Sequence, residues 1–341
     1  MSGLHVGLIG ATGLVGRTML AVLEHSSLPV ARLSAAASPR SEGTAVTFRG
    51  RPVTVQRVEA LMEDLPDLIL MSAGGDVSGR WAPEFARKKV YVIDNSSRWR
   101  MTEGVPLVVP EVNASVLKAE HYLIANPNCS TIQLMVPLAV IHRLYGIRRV
   151  YVSTYQAVSG SGWKGLAQLS DELAGRPPRV RAYDRPIAGN CLPYCGDEAD
   201  GGFTTEEWKL IRESRKILGL PELEVMPHAV RVPVEVGHSE AVTVETHRPV
   251  DLGRLRAALQ ESPGIVLAEQ APTPKDAAGR DAVFVGRIRR HPFTECGLMC
   301  WIVADNLRKG AAANAVQIAE YLYRRQWLPI PPPSESDHGN Q

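Results

Sequence analysis

Residues 4–16 read Leu4-His-Val-Gly-Leu-Ile9-Gly10-Ala-Thr-Gly13-Leu-Val-Gly16, and the fold of the first third of the chain turns on them. Leu4–Ile9 alternates as a strand does. Val15, Met19, Leu20, Val22 and Leu23 then recur at helical spacing. Glycines at the junction allow a tight turn, let backbone approach a pyrophosphate, and pack a helix onto a sheet. A glycine triplet alone is often only a turn. Between a strand and a helix it points to a dinucleotide site.

The next segments extend the same pattern. A second strand, Val30-Ala-Arg-Leu-Ser34, ends without an acidic residue and continues to Ser38-Pro39-Arg40-Ser41. An Asp or Glu there would accept from the ribose hydroxyls, whereas Arg40 with Ser41 suits a 2′-phosphate, so the chemistry favours NADP over NAD. The plain alternative is a solvated loop arginine. Asp67-Leu-Ile-Leu-Met71 is a short buried strand ending near Gly74-Gly75, where nucleotides lie in open α/β sheets. Val90-Tyr-Val-Ile93 is another, and Arg100 sits beyond its end, where an anion would be met or solvent faced.

Bulk properties narrow the class. With 341 residues and 45% hydrophobic content, the chain can build two cores but hardly three. A net charge of +2 with no long basic run gives no footprint for nucleic acid. Four of the five cysteines form two C-x3-C pairs, Cys191/Cys195 and Cys296/Cys300, which match neither a disulfide framework nor common zinc spacing. Free thiols, no bound metal and a cytoplasmic setting are expected. No apolar run reaches membrane-spanning length, so no membrane partner is expected. Residues 329–341 read as a disordered, proline-led tail.

The chemistry centres on Asn126-Pro-Asn128-Cys129-Ser-Thr131. It follows the apolar run His121–Ala125 and precedes a segment with Ile132, Leu134, Met135, Leu138 and Ile141. That is strand, turn, helix, with Cys129 at or beside the N-cap, where unpaired N–H groups and the dipole favour a thiolate. A buried small hydrophobe is the alternative. Val150–Tyr155 alternates as a strand, Gln156 closes it, and Ser159-Gly160-Ser161-Gly162 forms a flexible loop. Thr204 and Glu207 make a capping box, and Glu206 and Lys209 share a face of the helix it starts, an exposed ion pair by default. Val230–Val234 and Ser239–Val244 read as strands around Gly237-His238, a candidate base or a structural hydrogen bonder.

Laid end to end, GATGLVG, SPRSEG, SAGGDVS, VIDNSS, NPNCSTIQ, YQAVSGSG, RVPVEVGHSE and DNLRKGAAANAVQIAE resemble the aspartate-semialdehyde dehydrogenase family over most of the chain. The resemblance implies an NADP-dependent reductive dephosphorylation of L-4-aspartyl phosphate to L-aspartate 4-semialdehyde, serving lysine, methionine and threonine biosynthesis. Cys129 then matches the nucleophile, His238 the acid/base, and Gln156 a substrate-positioning residue. Arg231 matches the arginine that clamps the substrate α-carboxylate, Glu206 the acid that reads its amine, and Arg100 with Lys209 the phosphate pair. Asn128 joins the substrate set, and Gly10, Ala11, Thr12, Gly13, Leu14, Val15, Arg40, Ser41, Ser159, Gly160 and Asn306 the cofactor contacts. The fold it implies is α/β. A Rossmann-type NADP-binding domain takes residues 1–127 and about 305–325, and an α+β catalytic and dimerisation domain with a mostly antiparallel sheet takes 128–304, in a homodimer.

Ser161, Arg98 with Trp99, and Gly189 depart from the family pattern. An N-acetylglutamyl-phosphate reductase would use the same chemistry, but an acetylated amine cannot pair with Glu206. A non-catalytic NADP-binding paralogue would not need Cys129, Gln156 and His238 together.

Overall fold

The computed structural model describes residues 3–329, so the tail expected beyond Pro329 lies outside the described residues. The chain falls into two compact units. The first runs to Pro110 and takes in Ala114–Asn126 and the chain from Ala312; the second comprises Glu111–Asn113 and Pro127–Ala311.

In chain order the elements begin with β1 (Leu4–Ile9), α1 (Leu14–Glu24), β2 (Val30–Ala36), β3 (Ala45–Phe48), β4 (Arg51–Gln56), α2 (Val58–Glu63) and β5 (Leu68–Met71). Then come α3 (Gly75–Arg87), β6 (Tyr91–Asp94), α4 (Pro110–Asn113), β7 (Leu123–Ala125), α5 (Cys129–Tyr145), β8 (Ile147–Gln156) and α6 (Gly162–Leu173). The remainder is α7 (Thr205–Leu218), β9 (Glu224–Arg231), β10 (His238–Thr246), α8 (Leu252–Gln260), β11 (Ile265–Leu267), α9 (Pro274–Ala277), β12 (Val283–Arg290), β13 (Gly297–Ala304) and α10 (Ala313–Arg324).

The first unit is a seven-stranded sheet in the order β3-β4-β2-β1-β5-β6-β7. Its strands run parallel except for the β3–β4 hairpin. The alternation in β1 turns Leu4, Val6 and Leu8 toward Met19 and Leu23 of α1 and Val316 and Leu322 of α10. Ile9, Ile69 and Met71 face the opposite layer, with Ala82 and Phe85 of α3. Both faces of the central strands are therefore buried, as a parallel sheet requires. Because β1 has β2 on one side and β5 on the other, successive connections leave in opposite directions there. A crevice opens at the strand ends.

The second unit carries a six-stranded sheet, β11-β12-β13-β10-β8-β9. The pairs β8–β10, β10–β13 and β12–β13 are antiparallel, and β8–β9 and β11–β12 are parallel. Helix α5 is buried along nearly its whole length and packs on β8, β10, β12 and β13 as well as on α7 and α8. The strand expected around Val230 starts earlier, at Glu224, and ends at Arg231, because Pro233 breaks the ladder before Gly237. Helix α7 begins as expected, with Thr204 Oγ1 accepting from the Glu207 N–H and the Glu207 carboxylate accepting from the Thr204 N–H. Such caps contribute about 1 kcal/mol. This one fixes the helix that carries Glu206 and Lys209. Helix α10 is preceded by a π turn at Arg308–Ala312 and is α-helical only from Ala313.

Candidate active site

In the second unit, the site is built around the start of α5. Asn128 is the N-cap, and its Oδ1 accepts from the Ser130 and Thr131 N–H groups at 3.0 and 3.3 Å. Cys129 is thus the first helical residue, half-buried, and no disulfide joins the five cysteines. Two of the amides that the sequence leaves unpaired at this helix start are committed to the cap instead. The cap residue is itself held by α7. Asn128 Nδ2 donates to Glu206 Oε1 at 2.8 Å, and its backbone N–H donates to Glu213 Oε2 at 2.7 Å. On the other side, a Cβ on Gly310 would lie 2.9 Å from the Cβ of Cys129. Only glycine lets the π turn pass this close, and such turns recur at functional sites.

Facing α5, one row of positions crosses the sheet. Gln156 of β8 pairs with Arg231 of β9. His238 lies one step beyond the Ser239–Tyr155 pair, on the other side of Gln156. Strand residues in register share a face, so Arg231, Gln156 and His238 stand side by side, all buried. The loop after β8 serves both flanks. Ala157 O accepts from Arg231 Nη1 at 2.7 Å, while the Ala157 N–H donates to His238 Nδ1 at 3.0 Å. A Cβ on Gly160 would sit 2.8 Å from Arg231 Nη1 and 3.4 Å from His238 Nε2, so its bare backbone admits both side chains.

The electrostatics give each group a state. An N–H donor at Nδ1 leaves the imidazole proton on Nε2, and Nε2 has no hydrogen-bond partner among protein groups. Burial, reinforced by the Arg231 charge, pushes His238 down to about 3. The ring is therefore neutral and poised to donate. Burial pushes Glu206 up, but Lys209 Nζ at 3.0 Å and the Asn128 amide outweigh it and hold the carboxylate at about 2. Gln156 Nε2 adds a 3.3 Å contact to Glu206 Oε1. Arg231 Nε has no protein partner. A buried cation with a spare donor and a buried carboxylate beside it are complementary to an amino-acid zwitterion.

Cys129, Asn128, Gln156, Glu206, Lys209, Arg231 and His238 all belong to the second unit, as do Ser159, Gly160 and Asn306. Asn306 bonds Ser159 Oγ and accepts from the Gly237 N–H, which ties the loop to the strand that starts with His238. Gly10–Val15, Arg40, Ser41, Gly74, Gly75 and Arg100 belong to the first unit. There, Cβ atoms on Gly10 and Gly16 would lie 2.2 Å from Ser72 O and Gly10 O respectively. The turn after β1 therefore requires both glycines. A cleft of about 480 Å³ opens beside it, lined by Gly10, Thr12, Gly13, Ser38, Pro39 and Arg57 among others. Arg40 is exposed on the turn after β2, and Ser41 Oγ lies 3.3 Å from Thr12 Oγ1. Arg100 is buried, with Nε donating to Asn126 O and Nη2 to Asn95 O.

Sequence reasoning missed Glu213, Gly310 and Arg57. Glu213 left a trace, two helical turns from Glu206 on the same face. Gly310 and Arg57 gave none, because tertiary approach alone defines their roles. Three of the four departures from the family pattern, Ser161, Trp99 and Arg98, are absorbed locally. Ser161 Oγ meets Tyr183 Oη at 3.0 Å, Trp99 Nε1 donates to Ser78 Oγ at 2.8 Å, and Arg98 stacks over Trp99.

Residues 5–120 match the family model described as semialdehyde dehydrogenase, NAD binding domain, and residues 138–309 match the semialdehyde dehydrogenase, dimerisation domain. The chain is 46% identical over 336 residues to an aspartate-semialdehyde dehydrogenase of Aquifex aeolicus, covering 94% of this chain and 98% of that one. Its fold is similar to the crystal structure of Vibrio cholerae aspartate semialdehyde dehydrogenase II complexed with ASA, with a TM-score of 0.91, 45% identity, and coverage of 95% and 99%. It also matches the Candida albicans enzyme solved with NADP, with a TM-score of 0.77, 25% identity, and coverage of 96% and 100%.

The state of His238 has a measurable consequence. The folded protein keeps the ring neutral down to about 3, while an unfolded chain protonates it near 6.5. Its contribution to stability is full above about pH 6.5 and is lost as pH falls toward 3. Between those limits wild type should lose stability more steeply than His238→Gln, by up to about 1.4 kcal/mol per pH unit. Urea unfolding at stepped pH measures this, and equal slopes would contradict the assignment.

Proposed function

The chain belongs to the aspartate-semialdehyde dehydrogenase family, and from that premise we propose how its own residues divide the reaction. The activity is the NADP-dependent interconversion of L-4-aspartyl phosphate and L-aspartate 4-semialdehyde, a step of amino-acid biosynthesis. The observation that carries the assignment is the row Arg231–Gln156–His238 facing the start of the Cys129 helix.

Cys129 attacks the acyl carbon of aspartyl phosphate. A C–S bond forms, the bond to the phosphate oxygen breaks, and inorganic phosphate departs. Lys209 and, by resemblance, Arg100 neutralise that leaving group. NADPH supplies a hydride, which a thioester accepts far more readily than a carboxylate does. His238 Nε2–H faces the oxyanion of the reduced thioester and stabilises it by donating a hydrogen bond. When that oxyanion re-forms the carbonyl, the C–S bond breaks and frees the aldehyde and the Cys129 thiolate. Because the neutral ring already carries its proton on Nε2, no rearrangement precedes that hydrogen bond. Arg231 binds the substrate α-carboxylate and Glu206 its ammonium group, and both act by position. An ionised Glu206 selects a free amine, which separates this substrate from an N-acetylated one.

The first unit fits the dinucleotide. Its glycine turn, tight against Ser72 O, keeps side chains out of the crevice, and Arg40 and Arg57 offer guanidinium groups for a 2′-phosphate. In the second unit, the sheet face turned away from α5 exposes Tyr155 at 37% and Met226 at 47%, with Trp301 stacked on Tyr155. We assign this apolar face to a homodimer, in keeping with the dimerisation domain it matches. Among the described residues no helix is long and apolar enough to cross a membrane, and we place the enzyme in the cytoplasm.

Two experiments test these roles. Phosphate-dependent NADP⁺ reduction with aspartate semialdehyde should be robust in wild type and fall on the order of 10³-fold or more in Cys129→Ser, with folding intact. Retention of activity would remove Cys129 from the mechanism. Arg40→Ala should raise the KM for NADPH by about tenfold while sparing NADH, and an unchanged preference between the two cofactors would overturn its assignment.

A further inference from the structure

Behind the catalytic row lies a second one, in which Thr154 of β8 pairs with Glu240 of β10 and Glu240 with Ile302 of β13. Glu240 stands two residues after His238 on the same sheet face, and none of its surface is exposed. Neither carboxyl oxygen has a hydrogen-bond partner. Burial pushes the group well above the usual carboxylate range, and Gln133 is the side chain that opposes this. The nearby Cys300 thiol is pushed up to about 12, above all by burial. Without a counter-cation an ionised carboxylate here would be very costly, so the group is a neutral acid, a donor as well as an acceptor.

Gln133 supplies the complement. It lies one helical turn after Cys129 on α5, fully buried, with Nε2 3.4 Å from the His238 carbonyl oxygen and Oε1 without a partner. On the strand is a donor in need of an acceptor; on the helix is an acceptor in need of a donor. One sits a turn from the nucleophile, the other a pleat from the acid/base.

We propose that Glu240, as a neutral carboxylic acid hydrogen-bonded to Gln133, is a positioning residue that holds the Cys129 helix in register with the His238 strand. Its effect is on geometry, since it reaches neither substrate nor cofactor. The proposal rests on the roles given above to Cys129 and His238.

Glu240→Gln keeps the shape and offers an amide N–H to Gln133, whereas Glu240→Leu and Gln133→Leu each remove one partner. With aspartate semialdehyde, phosphate and NADP⁺, Glu240→Gln should keep kcat within about twofold. The two leucine variants should each lose about ten- to hundredfold in kcat, the scale of a small misplacement of reacting groups, with KM nearly unchanged. The rate of Cys129 alkylation by iodoacetamide should fall in the leucine variants and recover in Glu240→Gln. The double leucine variant should be no worse than either single one, as expected for a shared interaction. If Glu240→Leu does not fold, Gln133→Leu carries the same comparison. Equal impairment of Glu240→Gln and Glu240→Leu, or wild-type kcat in both leucine variants, would overturn the proposal. Failure of the catalytic roles reads differently, as turnover that survives Cys129→Ser whatever the Glu240 variants do.

Discussion

The amide of Asn128 is the joint on which the second unit depends. One face of it caps α5 through Ser130 and Thr131, and the other is gripped by Glu206 from α7. Glu213 takes the Asn128 backbone N–H as well. The helix that starts at Cys129 and the helix that bears Glu206 are thereby locked together. Severing that joint would release the thiol and the carboxylate at once, which is why a small polar residue stands directly before the cysteine.

The same site concentrates groups that a core ordinarily excludes. Arg231, Gln156, Glu206 and His238 are all buried, and burying charge is tolerable only where partners offset desolvation. Glu206 meets Lys209, Asn128 and Gln156. Arg231 meets the Ala157 carbonyl oxygen and stacks over Tyr183. His238 avoids the cost by remaining neutral. What is left over, Arg231 Nε and His238 Nε2, is the hydrogen-bonding capacity that a substrate carboxylate and a developing oxyanion would use. The site therefore holds its donors in place before the reaction needs them.

Much of this was legible in the residues. The period-two run into Gly10 gave away the nucleotide unit, because close backbone approach leaves a glycine signature that local reading recovers. The Thr204–Glu207 box placed α7, since capping is chemistry between near neighbours. Asn-Pro-Asn-Cys marked a helix start for the same reason. Sequence reasoning could not tell whether the Glu206–Lys209 pair was solvated or buried, for periodicity says which face a residue lies on and not what covers it. It likewise left the N–H groups at the Cys129 helix start unpaired, when Asn128 Oδ1 already engages two of them. Gly310 beside Cys129, Ala157 bridging Arg231 and His238, and the paired rows across β9, β8 and β10 arise from strand register and tertiary approach, which no local pattern encodes.

In the proposed reaction Cys129 carries the acyl group. Incubating the enzyme with aspartate semialdehyde and NADP⁺ in the absence of phosphate should leave an aspartyl group bound as a thioester. Peptide mass spectrometry reads its position directly. The added mass should sit on the peptide containing Cys129 and be released when phosphate is added. An adduct confined to another cysteine, or none on Cys129 while a stoichiometric burst of NADPH appears, would contradict it.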